Sequence, residues 1–401
     1  VIAFNAMDPV TTLSEKFMTG MSGFAGNWFL LFMLGAIFGK VMGDSGASVG
    51  IANKMLKILG EKSVVLVVML TGLVLSYGGI GTFIIAFSLY PIAVALFQKA
   101  DIPKKLIVAT IMVCPVTVCM AMLPGSPSTQ NLIPTQYFGT TAYAGATLGL
   151  ICSAIMFVSA YLFLNWQIKK AKAAGEHFVA SPGEDMDLNA VDEGKTPSVG
   201  ACFAPIVVLL VLMFGIQSMT SIPSSYAVAI AMTCAIIVGC VLYRDRLNVK
   251  EAVSNGAGGG LGSLIATSSI MGFGSVVSAS PAYESITTAL VNMQANPLIT
   301  ALVSINVIAA ITGSSAGGLN IFLSSMGEYL AASGLNMSML HRVVCIASSG
   351  FDAMPHASGM VVCNQIAKTS QKDTYKYVFI TCAIMPFCCA ILACIIGTLG
   401  L

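Results

Sequence analysis

Long apolar runs from which charge is nearly absent constrain this chain more than any other feature. Residues 143–166, 201–219 and 225–243 contain no Asp, Glu, Lys or Arg, and 376–398 contains only Lys376 at its edge. A helix rises 1.5 Å per residue, so about 20 residues cross a hydrocarbon core about 30 Å thick. Each run is long enough. A soluble alternative fails on composition: 56% of the 401 residues are hydrophobic and 9% charged, against about a quarter charged in ordinary soluble domains. The expected class is therefore an all-α polytopic membrane protein. The net charge of +2 says nothing about partners, because in a membrane protein the position of each charge along the chain is what matters. Nothing in it points to nucleic acid.

The 12 cysteines sit mostly inside apolar runs as small core residues, with no metal-ligand or redox spacing beyond the vicinal Cys388 and Cys389. No disulfide framework, metal site or cofactor is expected. The chain lacks both a cleavable signal and an initiator Met, so it is expected to begin after a missing first span, with residues 1–7 as its tail.

Spans are expected at 28–43, 106–139, 143–166, 201–219, 225–243, 261–278, 343–368 and 376–398. Segments 63–98 and 298–332 are too long and too glycine-broken for one helix. If both enter the membrane and return as re-entrant hairpins, all but Lys16 and Arg342 of the 19 Lys and Arg residues fall on one face. By the positive-inside rule that face is cytoplasmic. A full crossing by either hairpin would collapse the bias. The polar stretch 168–200 reads as a cytoplasmic linker, with His177 a solvated residue in it.

The two halves resemble each other. Phe38-Gly39, Val41, Ser45 and Ala47 recur 235 residues later as Phe273-Gly274, Val276, Ser280 and Ala282, and Gly78 meets Gly313 at the same offset. Leu123-Pro124 aligns with Met354-Pro355 after a four-residue deletion. The charge topology makes these inverted repeats. Residues 28–167 form repeat 1 (hairpin 63–98, broken helix 106–139) after an N-terminal segment 1–27. Scaffold spans follow at 201–260, and 261–401 is repeat 2 (hairpin 298–332, broken helix 343–368). Inverted repeats with interrupted helices are the pattern of secondary transporters, whose site lies near the midplane where the halves meet.

Exposed backbone inside a membrane is tolerated only against protein or a wet cavity, so the interruptions are candidate walls of that site. In the first half they supply Gly78, Gly79 and Thr82 at the hairpin tip, and Ser126, Ser128, Thr129, Gln130 and Asn131 in the long span. The second half supplies Ser314, Ser315, Gly317 and Asn320 at the tip, and His356 and Ser358 in the long span. Half-helices that begin after a break present free N–H groups and a positive dipole end, which suits an anion such as a carboxylate. Neither Lys nor Arg is expected near these four places. Capping and small-residue packing are the plainer use of any one such residue. Asp352 and His356, spaced i and i+4 in a broken span, are the candidate ion-coupling residues, since an intramembrane acid costs about 2.5–3.5 kcal/mol on insertion scales.

An enzyme is not expected, since there are three His, no His-Glu-x-x-His and no paired carboxylates. A channel for small carboxylates is the alternative, although it needs no inverted repeat around a closed site.

At GKVMGDSGAS (39–48), PGSPSTQNLIPTQYFGT (124–140), ITGSSAGGLNI (311–321) and SSGFDAMPHASG (348–359) the chain resembles the gluconate permease (GntP) family of the ion transporter superfamily. It is closest to hydroxybutyrate permease-like members, with Phe351 and Met354 where those have Leu. The resemblance covers nearly the whole chain. It implies a symporter in the bacterial inner membrane that takes up a small hydroxy monocarboxylate, such as 3-hydroxybutyrate or gluconate, with H⁺ or Na⁺. It also implies a homodimer, an elevator motion of hairpins and broken helices against the scaffold, and interfacial arms at 44–60 and 280–296.

Overall fold

The structure, a computed structural model, describes residues 8–47, 50–51, 54, 57–58, 63–79, 82–180, 196–282, 285 and 296–398. Residues 1–7, the middle of the linker, most of 280–296 and much of 44–60 lie outside the described residues. Every regular element among the described residues is helical. In chain order these are α1 (Pro9–Asp44), α2 (Val64–Tyr77), α3 (Thr82–Lys99), α4 (Lys104–Met122), α5 (Thr129–Phe138), α6 (Ala146–Ala173) and α7 (Val199–Met219). There follow α8 (Ser224–Leu242), α9 (Val249–Ser278), α10 (Pro297–Thr312), α11 (Ser315–Ala331), α12 (Met337–Ser348), α13 (Ser358–Ile366) and α14 (Gln371–Thr398). By length and composition α1, α4, α6 and α14 can each cross a membrane.

Three boundaries differ from the sequence reading, one of them at α9, which begins at Val249 rather than 261 and runs unbroken through the expected division between scaffold and second repeat at 260/261. The span expected at 28–43 is the end of a helix that starts at Pro9, because Asp8 accepts a bond from Thr11 N (2.8 Å) and Pro9 takes the first helical position. Before the expected linker, α6 continues through Ala173 into it until Gly175 turns the chain at φ +72°. Beyond it His177 is exposed but not free, its Nδ1 lying 2.7 Å from Asp101 Oδ2. The Phe178 N–H, and then His177, hold the Asp101 carboxyl below its usual range.

The helices sort into two groups. α1, α7, α8 and α9 pack mainly on one another, and α2–α6 with α10–α14 form the rest. The first group is held at close range by Gly256 and Gly260, one turn apart on α9. A Cβ on Gly256 would stand 2.7 Å from the Ile37 Cα, and one on Gly260 2.9 Å from the Phe32 carbonyl. Small residues at this spacing let helix backbones touch in lipid. On α6 one face is buried (Cys152, Met156, Ala160, Leu164) while Ile151, Ile155, Val158 and Leu162 are exposed. That exposed apolar stripe is suited to lipid, and it ends at Trp166 with the Lys170 ammonium 5.5 Å from its ring, a pairing suited to a membrane interface.

The second group contains the interruptions. α2 and α3 pair as a hairpin turning at Gly78 and Gly79. α10 and α11 pair likewise, turning at Gly313. Residues 123–128 separate α4 from α5, and 349–357 separate α12 from α13. Pro115 lacks an N–H and α4 widens to π geometry over Cys114–Met122. Its ring packs against Gly72 of α2, which leaves room for it.

Candidate functional site

Each hairpin tip meets the break of its own half. In the first half the Tyr77 hydroxyl donates to Pro124 O (2.7 Å), and Gly79, at φ +86°, lies against Pro127. A Cβ on Gly79 would also come within 2.7 Å of Met232 Cε on α8. Gly78 packs against Ile206 of α7. Thr82 opens α3, partly exposed. These contacts are apolar apart from the one hydroxyl.

The first break is knitted by its own polar groups. Gly125, at φ +77°, donates its N–H to Ala142 O (2.8 Å). Ser128 caps α5 by accepting from Asn131 N (3.2 Å) and donates to Met120 O (2.6 Å). Ser126 is buried with its hydroxyl 3.6 Å from Cys119 Sγ. Asn131 is wholly buried, and its amide donates to Ser126 O (2.8 Å) and Ala142 O (2.9 Å). That orientation leaves Asn131 Oδ1 as an acceptor for His341 Nε2 (3.3 Å), while Thr140 Oγ1 lies 2.7 Å from His341 Nδ1. One arrangement satisfies all of these: a neutral imidazole protonated on Nε2, with Thr140 donating to Nδ1.

Gln130 points elsewhere. Its Nε2 donates to Ser315 Oγ (2.6 Å) at the tip of the second hairpin, and its Oε1 accepts from Thr129 Oγ1 (2.9 Å). Ser314 caps α11 by accepting from Gly317 N (3.1 Å), so the next residue, Ser315, sits on the helix's first turn. The Ser315 hydroxyl also faces the Asp352 carboxyl, which has the N–H groups of Asp352 and Ala353 turned toward it. Gln130, Ser315 and Asp352 thus form one polar line from the first break, through the second tip, to the second break.

The second half closes on itself more tightly than the first. A Cβ on Gly313 (φ +63°) would stand 2.9 Å from the His356 ring, so His356, itself exposed, lies on the tip. Asn306 of α10 accepts from Phe351 N at its Oδ1 (3.1 Å) and donates to Leu302 O (2.8 Å). A side chain at Gly350 would put its Cβ 1.8 Å from that oxygen. Phe351 turns away toward α14, with ring centroids 5.0 Å from Phe387 and 6.4 Å from Phe379. Ser358 opens α13.

Asn320 is not at the tip. It lines a cavity of about 500 Å³ between the two helix groups, together with Thr19, Asn27, Trp28, Gln136 and Tyr137. At 1.5 Å per residue it stands about 7.5 Å along α11 from Ser315. The cavity lining includes no charged residue among those described.

One sequence expectation is overturned. A cation does lie beside a break: Arg342, placed by the sequence at an outer end, is fully buried and donates to Met122 O (3.3 Å), the last residue of α4. Its helix starts beneath the 139–145 loop, so its position at the edge of an apolar run concealed its depth. Asn306 and Arg342 were site-forming residues that local pattern did not single out. The first sits mid-helix in an apolar run, and only its distant partner Gly350 gives it meaning.

Comparison with known proteins gives the family and a fold relative. A family model described as GntP family permease matches residues 1–398. The chain is 31% identical over 403 residues to the uncharacterized transporter YxjC of Bacillus subtilis (strain 168), covering 91% of this chain and 85% of that protein. Its fold is similar to the crystal structure of the Alcanivorax borkumensis YdaH transporter, described as having an unusual topology. The TM-score is 0.59 at 15% identity, over 98% of this chain and 90% of that one. At that identity the likeness speaks for the fold alone.

Proposed function

Because this chain belongs to the GntP family of permeases, membrane transporters and not enzymes, we propose that it is a secondary active symporter for a small hydroxy monocarboxylate, such as gluconate or 3-hydroxybutyrate, coupled to H⁺ through Asp352. The observation that carries this reading is the Gln130–Ser315–Asp352 line. It joins both halves at a place where two half-helices, α5 and α11, begin. Their first turns direct N–H groups and positive dipole ends into the same region, which favours a carboxylate. Asp352 is the acid within reach of that region, and protonating it when an anion arrives removes the repulsion between two carboxylates.

Substrate hydroxyls suit the uncharged amides and hydroxyls of the cavity that includes Asn320, Gln136 and Asn27, which serves as the approach to the site. The two tip-and-break pairs are the cores of inverted repeats. The frame of α1, α7, α8 and α9 is the static part, against which the other group moves in elevator fashion, and the working unit is a homodimer. Capping by Ser128 and Ser314 and the spent amide of Asn131 shape the walls; Thr129, Gln130, Ser315 and His356 are the residues left to meet substrate.

Uptake of labelled gluconate and 3-hydroxybutyrate into proteoliposomes, with pH and Na⁺ gradients imposed separately, tests this. Saturable uptake driven by the pH gradient is expected, with its pH dependence flattened in Asp352→Asn. Drive by Na⁺ alone, or an unchanged pH dependence in that variant, removes the coupling role. Unsaturable ionic current would make the protein a channel.

A further inference from the structure

Arg342 is a buried cation of unusual isolation. Its Nε donates to Ala144 O (3.0 Å), its Nη2 to Ala142 O (3.2 Å) and Ala144 O (2.8 Å), and its Nη1 to Met122 O (3.3 Å). Space for it is reserved by glycine: a Cβ at Gly145 would fall 2.5 Å from the Arg342 Cβ, and one at Gly149 3.1 Å from its Cδ. Carbonyls satisfy its donors but do not cancel its charge. Among the described residues no carboxylate pairs with it. The ionisable groups that face it are Tyr77 of α2, Cys152 of α6, and His341 and Cys345 of its own helix. The one facing Asp352 among the described residues is Cys382 of α14; His356 follows four residues on in the same loop. An uncompensated charge in a low-dielectric interior is costly, so its balance must come from something else. Arg342 and Asp352 lie on one continuous stretch, α12 and the loop after it, so any displacement carries both.

We propose that Arg342 is the permanent countercharge of the transport site, so that only the empty carrier and the doubly loaded carrier are neutral. This rests on Asp352 taking the coupling proton. With Asp352 ionised and no substrate, the charges carried by this stretch sum to zero without the two groups touching. With Asp352 protonated and a monocarboxylate bound, Arg342 is balanced by the substrate instead. Proton alone leaves the unit at +1, and substrate alone leaves it at −1. Half-loaded units must drag net charge through hydrocarbon and are held back, which makes coupling obligatory at one proton per anion. Arg342 also holds the carbonyl end of α4, offsetting the negative dipole end beside the first break.

The test uses the purified full chain in liposomes with labelled gluconate and 3-hydroxybutyrate. One charge crossing 100 mV corresponds to about 50-fold in rate. Wild-type uptake under a fixed pH gradient is expected to change by less than about twofold over that range, and steep voltage dependence overturns the proposal. Asp352→Asn, neutral when loaded and +1 when empty, is expected to exchange internal for external label while losing net uptake. Loss of exchange in monodisperse Asp352→Asn protein counts against the countercharge. Arg342→Gln is expected to bind both anions at least about tenfold more weakly and to make the residual flux voltage-dependent. Arg342→Lys keeps the charge and the voltage independence, and decides the matter if Arg342→Gln does not fold. Wild-type affinity and voltage independence in Arg342→Gln overturn this proposal alone, whereas unchanged pH-driven net uptake in Asp352→Asn overturns the coupling reading beneath it.

Discussion

The two tip-and-break contacts share a shape and differ in chemistry. In both, a glycine at positive φ (Gly79, Gly313) turns a hairpin against the interruption of the next long helix. The first contact offers a tyrosine hydroxyl on the Pro124 carbonyl and the ring of Pro127. The second offers an asparagine in the hairpin arm, a serine on the first turn beyond the tip, an aspartate and a histidine. The same backbone solution is therefore lined mainly by apolar groups in one half and by polar and ionisable ones in the other, which the proposed function reads as a wall and a reactive surface. Gln130 is the exception that ties them, reaching from the first break to Ser315 of the second tip.

Substitutions on matched positions test how deep the difference goes. The largest effect is expected from Gly350→Ala, because its Cβ would overlap Asn306 Oδ1 at 1.8 Å. Overpacking of this kind costs about 1–3 kcal/mol or more, and thermal stability of the detergent-solubilised protein should fall accordingly. Adding Asn306→Ala should recover part of the loss, but not all, since Phe351 N then lacks its partner. A smaller but more specific effect is expected from Ser315→Ala, which cuts the polar line without leaving a large void: uptake falls about tenfold and the pH profile shifts, while melting temperature falls only by what the lost acceptor of Gln130 Nε2 costs. Equal losses in uptake and stability would mean that Ser315 is only a packing residue. Tyr77→Phe should do least, removing one hydrogen bond worth about 1 kcal/mol and leaving the pH profile unaltered. A shifted profile in Tyr77→Phe would break the division between wall and reactive surface.

Much of this architecture is legible in the chain because its signals are local. Glycine and proline mark the breaks at 123–128 and 349–357, Ser128 and Ser314 stand where N-caps belong, and charge-free runs mark the spans. What escaped is long-range. Gln130 and Ser315 are 185 positions apart, and nothing near either announces the other. Asn306 reads as a polar residue stranded in an apolar helix until Gly350 and Phe351 are brought to it. Arg342 reads as an interfacial charge because its burial comes from a loop folded over it by the other half of the chain. Asn320, grouped with the tip by sequence, belongs to the cavity because helix rise carries it past the contact.

The grip on Arg342 also sets an order of manufacture. Its acceptors, at Met122, Ala142 and Ala144, leave the ribosome about 200 residues earlier than the arginine itself. Inserted alone, an arginine at mid-helix costs about 2.5–3.5 kcal/mol. The amino-terminal half must therefore wait in the bilayer with a socket of carbonyls, of which Ala142 O already accepts from Gly125 N and Asn131 Nδ2, and the later helix enters by filling it.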